Sequence, residues 1–326
     1  MILYIIRGVF ICFALISFSQ AAGNYPNIAQ QSLLLPDGRT LELYHYLPDG
    51  APRDHVLLWP GLGTTHFVYD LDRHYSLARY LQKKGMEVWV ADSNPPTFKD
   101  WVEVDIPKAL EAVQVKRHLA VIGLDVSGLA WMAYVSQNAE SPIDRVVTLG
   151  TTAYLRYPSR LIQYLLEASK KVSAASLDPS LGAQRKVPFE GSSETYFDIL
   201  VWDRSVLPEI RNEFLDQGLK PIPQTFMGEI QKWYQEGEAS PVASLATWKL
   251  PILLVGGKLD PWAHPAMVRE TYRHIEFEDK TYRLFSIGYQ DKEDYSHWGL
   301  LLSRSAPNEV YPYIEKWLHE HQKNKK

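Results

Sequence analysis

The chain has 326 residues, 46% of them hydrophobic and 22% charged, with a formal net charge of −4. That balance belongs to a globular protein, and it excludes both a largely disordered chain and one that holds a polyanion by charge, so nucleic acid is not an expected partner. The single cysteine, Cys12, sits so near the start that no disulfide and no cysteine metal site is expected in the remaining chain.

Residues 1–22 read as a signal peptide. Arg7 supplies a short positive region, an apolar run follows, and Ser19-Gln20-Ala21-Ala22 offers small residues for cleavage. The apolar run is too short for a membrane span, although an uncleaved N-terminal anchor is the alternative. The expected location is secreted or periplasmic.

Residues 31–35 and 39–47 are strand-like runs joined by Pro36-Asp37-Gly38, a turn signal, and they predict an antiparallel opening hairpin. A short apolar strand over 55–59 then runs into Pro60-Gly61-Leu62-Gly63, and residues 75–84 have helical spacing ended by Gly85. A strand over 87–91, a helix over 104–115, a strand over 118–124, a helix over 129–137 and a strand over 145–150 complete a βαβαβαβ alternation. That order predicts a mostly parallel sheet covered by helices on both faces, an α/β fold.

Between about 151 and 248 the alternation stops, and the chain becomes helical, aromatic and rich in proline, as an inserted cap would be. The pattern then resumes with a strand over 250–256, a helix over 266–274, a strand over 282–287 and a helix over 308–321. Val310, Tyr313, Ile314, Trp317 and Leu318 fall on one face of that last helix, a stripe for packing on the sheet.

The most informative stretch is His118-Leu119-Ala120-Val121-Ile122-Gly123-Leu124-Asp125-Val126-Ser127-Gly128. A buried strand enters a tight turn with small residues at 123 and 127, which is the layout of a nucleophile elbow with Asp125 at its apex. Asp260 follows a later strand and His297 follows the last one, so the chain carries nucleophile, acid and histidine in the order such folds use.

With Trp59-Pro60-Gly61-Leu62-Gly63-Thr64, Ser76 to Leu81, Gly85 to Val90, the elbow, Gly256 to Asp260 and His297 taken together, the chain resembles the α/β-hydrolase superfamily from about Arg53 to Glu320. More narrowly it resembles the acid-lipase-like branch, which is related also to polyhydroxyalkanoate synthases. The resemblance implies that Asp125, Asp260 and His297 are the catalytic positions and that the backbone N–H groups of Leu62 and Val126 form an oxyanion hole. It departs at the apex, where that branch has serine and the synthases cysteine. An apex aspartate is the arrangement of epoxide hydrolases and haloalkane dehalogenases, in which the carboxylate attacks carbon and histidine activates water against the resulting ester. Those families commonly place a large residue after the aspartate, where this chain has Val126, and they use aromatic donors from the cap.

The expected function is thus a cofactor-independent hydrolase of a small to medium apolar substrate, with no metal or organic cofactor implied. The alternative is a catalytically silent hydrolase-like protein that binds or scaffolds, in which Asp125 and His297 form a structural ion pair. Ser127 is a second candidate nucleophile, although its position turns it into the helix. The remaining histidines lack the spacing of a zinc site, and Gly61-Leu62-Gly63 lacks the lysine and serine or threonine of a phosphate loop. The sequence leaves the oligomeric state open.

Overall fold

The computed structural model describes residues 28–156, 162–163, 176–177, 205–238 and 245–322. The leader over 1–22 and most of the first half of the expected cap lie outside the described residues. No helix among the described residues is long and apolar enough to cross a membrane.

Eight strands form one sheet. They are β1 (Ile28–Leu34), β2 (Thr40–Tyr46), β3 (Asp54–Trp59), β4 (Met86–Asp92), β5 (Leu119–Leu124), β6 (Ile143–Leu149), β7 (Ile252–Gly257) and β8 (Lys280–Phe285). Their spatial order is β1-β2-β4-β3-β5-β6-β7-β8. β1 pairs antiparallel with β2, and β2 antiparallel with β4, while every other pairing in this sheet is parallel. The opening hairpin and the parallel sheet are therefore as the sequence predicts.

The central strands are continuous apolar runs because both of their faces are covered. Along β3, Leu57 and Trp59 enter the core on one face, and Val56 and Leu58 the core on the other. Along β5, Leu119 and Val121 alternate in the same way with Ala120 and Ile122. The layers are closed by α1 (Leu77–Lys83), α2 (Ile106–Val113), α3 (Val126–Gln137), α4 (Pro208–Gln217), α5 (Gln224–Glu236), α6 (Pro265–His274) and α7 (Val310–Glu320). A short helical turn and a π-turn at Trp101–Asp105 lead into α2.

Several boundaries differ from the sequence reading, each for a local reason. α3 starts at Val126 rather than at 129, because the elbow turn feeds directly into the helix. β6 starts at Ile143 rather than at 145, since Asp144 and Arg145 are buried strand residues despite their charge. Arg145 Nη2 donates to both oxygens of buried Asp54 at 2.7 Å, which makes its burial tolerable. β8 ends at Phe285 rather than at 287, because the Ser286 hydroxyl accepts the Gly288 N–H and turns the chain. On α7 the buried stripe includes Tyr311, whose hydroxyl donates to the Leu301 carbonyl at 2.6 Å, and Tyr313 is only half-buried.

Within the expected cap, the described residues form α4 and α5, and the chain between them is sewn to the loop after β3. Thr65 N–H donates to Gly218 O at 3.0 Å, and Lys220 N–H to Gly63 O at 2.9 Å. The Lys220 ammonium also pairs with Asp92 at the end of β4. These bonds fix the loop that carries Leu62.

Candidate active site

Asp125 stands at the carboxyl end of β5 with φ 56° and ψ −125°, a conformation disfavoured for any residue with a side chain. The turn is held from three sides. Asp125 N–H donates to Leu149 O at 2.8 Å, Gly128 N–H donates to Asp125 O at 3.2 Å, and the Thr151 hydroxyl donates to Asp125 O at 2.8 Å. Gly123 allows the helix to turn back onto the strand, because a Cβ there would lie 2.4 Å from Gly128 N. Ser127 is buried, and its hydroxyl donates to the Trp59 and Leu124 carbonyls, each at 2.8 Å. It is committed beneath the turn, away from the apex.

Asp260 and His297 meet across the neighbouring loops. One Asp260 oxygen accepts the N–H groups of Trp262 and Ala263 at 2.9 and 2.8 Å, and the other lies 2.8 Å from His297 Nδ1. Because the partner is a carboxylate, Nδ1 carries the proton in this contact, which leaves Nε2 for chemistry. Gly150, at φ 55°, makes room for the pair: a Cβ there would lie 2.9 Å from His297 Cε1 and 3.0 Å from Asp260 Oδ2. The sequence-predicted residues Asp125, Asp260 and His297 are therefore brought together, all of them buried.

Two further residues complete the site. The Trp262 indole N–H donates to Asp125 Oδ1 at 2.7 Å, so one residue holds both carboxylates, Asp260 by its backbone and Asp125 by its ring. Tyr234, on α5, faces Asp125 and Asp260 and has its hydroxyl 3.5 Å from the Trp262 carbonyl. Tyr234 lies within the aromatic stretch of the expected cap, where nothing in the sequence singles it out, and Trp262 lies outside that stretch. The available signal was its place two residues after the acid, on the loop that must pass over the apex.

Burial pushes the Asp125 carboxyl up, and the charge of His297, the Trp262 indole and the Val126 N–H pull it back, leaving it at about 6. Val126, expected from the sequence to offer its N–H to an oxyanion hole, is the first residue of α3 and lines the space beside Asp125. For His297, burial works against the charged form, but Asp260 and then Asp125 outweigh it, and its pKa is raised. Burial and the two nearby carboxylates push the Tyr234 hydroxyl up, so it is a neutral donor.

Leu129, Ile230, Val126 and Tyr234 wall a cavity of about 20 Å³ beside Asp125, room for about one water. Removing the indole donor with Trp262→Phe should raise the Asp125 pKa, since the ionised form loses a hydrogen bond. Any activity that needs the carboxylate appears as pH rises through that pKa. The acid limb of a pH–rate profile is therefore expected to move upward by about one unit, the equivalent of one charge-assisted hydrogen bond.

No family model and no curated protein matches the chain. Solved structures do. An enol-lactonase from Burkholderia xenovorans LB400 aligns with a TM-score of 0.63 and 16% identity, over 88% of this chain and 99% of that one. A monoacylglycerol lipase from Paleococcus ferrophilus aligns with a TM-score of 0.59 and 18% identity, over 86% and 99%. An esterase from Exiguobacterium antarcticum aligns with a TM-score of 0.64 and 12% identity, over 88% and 98%. The sheet order, the tight strand-to-helix turn at Asp125 and these alignments agree on one conclusion: the chain has the α/β-hydrolase fold.

Proposed function

We propose that the chain is a cofactor-independent hydrolase that works through a covalent ester on Asp125. The free carboxylate oxygen attacks an electrophilic carbon of a small apolar substrate, an epoxide or a haloalkane, and the bond from that carbon to oxygen or halide breaks. The Trp262 indole holds one Asp125 oxygen and leaves the other to attack, while the neutral Tyr234 hydroxyl, now at the Trp262 carbonyl, turns to the leaving group as it gathers charge. His297, oriented by Asp260, then takes a proton from water, and the hydroxide adds to the Asp125 carboxyl carbon. Collapse of that intermediate releases an alcohol carrying an original Asp125 oxygen and regenerates the carboxylate.

The observation that carries this reading is the Trp262 indole N–H on Asp125 Oδ1, at 2.7 Å. In ester hydrolysis by a serine apex the oxyanion forms on the substrate, but here it forms on the side chain of Asp125. A donor already on that carboxylate is where the second step needs it. The silent reading draws on the size of the cavity, which among the described residues has room for about one water. Export by residues 1–22 belongs to the same proposal, and a purified chain beginning at Ala22 or Gly23 is its expected sign.

His297→Gln decides between the readings. With an epoxide and haloalkane panel, the variant should accumulate the ester, seen as a mass increase on the Asp125 peptide. A single turnover of the unmodified chain in heavy-oxygen water should leave the first product unlabelled and put the label on Asp125. Label in the first product would instead show direct attack by water, and no adduct with any substrate would favour the silent protein.

A further inference from the structure

Helical geometry gives α5 two working faces. Ile230 and Tyr234 line the cavity at Asp125, whereas Glu229 and Lys232 line a separate surface groove of about 260 Å³. Trp233 lies between them and, among the described residues, is the one that lines both spaces. The groove runs between α5, the end of α3 at Gln137 and the helical turns before α2, and Phe98 and Val102 give it an apolar floor.

The two spaces are unequal in a telling way. The cavity at Asp125 holds about one water, while the groove is more than ten times larger and open. The side chain common to both is a buried indole, packed edge-on against Phe98 with ring centroids 5.2 Å apart. Trp233 is the residue common to the two linings, so a change of its rotamer alters the wall of both at once.

The rim is charged but balanced. Lys99 pairs with Glu103 at 3.8 Å, Lys232 pairs with Glu236 at 3.7 Å, and Glu229 accepts the Phe98 N–H at 2.8 Å. The four charged residues that line the groove, Lys99, Lys232, Glu103 and Glu229, are two of each sign, so the lining carries no net charge. The surface left for binding is the apolar floor.

We propose that this groove is the way in to Asp125 and the binding site for the non-reacting part of the substrate, with Trp233 as the gate between them. The substrate class that fits is an uncharged, narrow, elongated molecule with its electrophilic carbon at the inner end. This rests on the covalent reading only for the nature of the electrophile; the route itself is independent of what Asp125 does.

The test uses that independence. With Cys12→Ser the chain has no thiol, and Leu129→Cys places one in the wall of the inner cavity. Neutral ethyl methanethiosulfonate reacts with such a thiolate to give a mixed disulfide and methanesulfinate, which mass spectrometry follows without any turnover. Adding Trp233→Ala should speed the labelling at least tenfold, and Trp233→Leu should give an intermediate rate. Lys99→Trp with Gln137→Trp, both at exposed positions, should fill the groove and return the rate to that of the parent. The anionic sulfonatoethyl and cationic trimethylammonioethyl reagents should both label more slowly than the neutral one. Labelling indifferent to Trp233, or fast with the groove filled, would place the route elsewhere. Equal rates for charged reagents would overturn the substrate class. Failure to trap an ester in His297→Gln would leave these rates unchanged and would count against the chemistry alone.

Discussion

Asp125→Asn is expected to abolish turnover and, above pH 7, to make the fold harder to unfold. The loss of activity follows from the proposed role of Asp125 as nucleophile: an amide is uncharged and does not displace a leaving group from carbon, so single-turnover ester formation should fall by at least about 10⁴-fold. The gain in stability follows from burial. An Asp125 carboxyl raised from 3.8 to about 6 binds its proton more tightly in the folded chain than in the unfolded one. Its contribution is therefore fully present below about pH 4 and is lost as pH rises through 6. Two units correspond to about 3 kcal/mol, an upper bound on what the asparagine recovers. Urea unfolding at pH 8 and pH 4 checks this: the variant should gain about 2–3 kcal/mol at pH 8 and almost nothing at pH 4. An equal effect at both values would mean that the charge of Asp125 is not what strains the site.

Gly123→Ala should have the largest effect on folding. The added methyl would meet Gly128 N at 2.4 Å, Gly128 Cα at 2.5 Å and the Ser127 carbonyl carbon at 2.7 Å, all of them backbone atoms. No side-chain rotation relieves such a contact, so β5 and α3 must separate at the centre of both cores. A cost of about 3–5 kcal/mol is expected, a large share of what a domain has. Gly256→Ala is the matched control on β7, where the new methyl would find nothing nearer than Leu284 Cδ1 at 3.7 Å. Its unfolding midpoint should stay within about 1 kcal/mol of the parent. Equal losses for both variants would mean that any added methyl in these strands is disruptive and that the elbow has no special tightness.

The fold was legible because its strands are buried on both faces and its helices on one, two patterns that composition alone separates. Where the reading slipped, an interaction between distant residues decided the matter. Asp144 and Arg145 look like solvent-facing charges until Asp54 is brought beside them from 91 residues away. The three residues at the centre of the site were readable because their order follows the strand order. Trp262 was not, since its role depends on a loop crossing to a partner 137 residues distant, and nothing in a local pattern records that crossing. Tyr234 was hidden for the opposite reason: the sequence is rich in cap aromatics, and only packing selects the one that faces the carboxylates.

His297 owes part of its raised proton affinity to the charge of Asp125, and in the proposed cycle that charge is present only until the ester forms. Once Asp125 is esterified, burial continues to disfavour the imidazolium while one of the two carboxylates opposing it has gone. In the proposed cycle, that drop in proton affinity favours passing a proton to an alkoxide leaving group, and the neutral ring is then the base for the second half. The two halves are thereby interlocked by a single proton: the histidine is disarmed as a base while the nucleophile is free, and armed when there is an ester for water to attack.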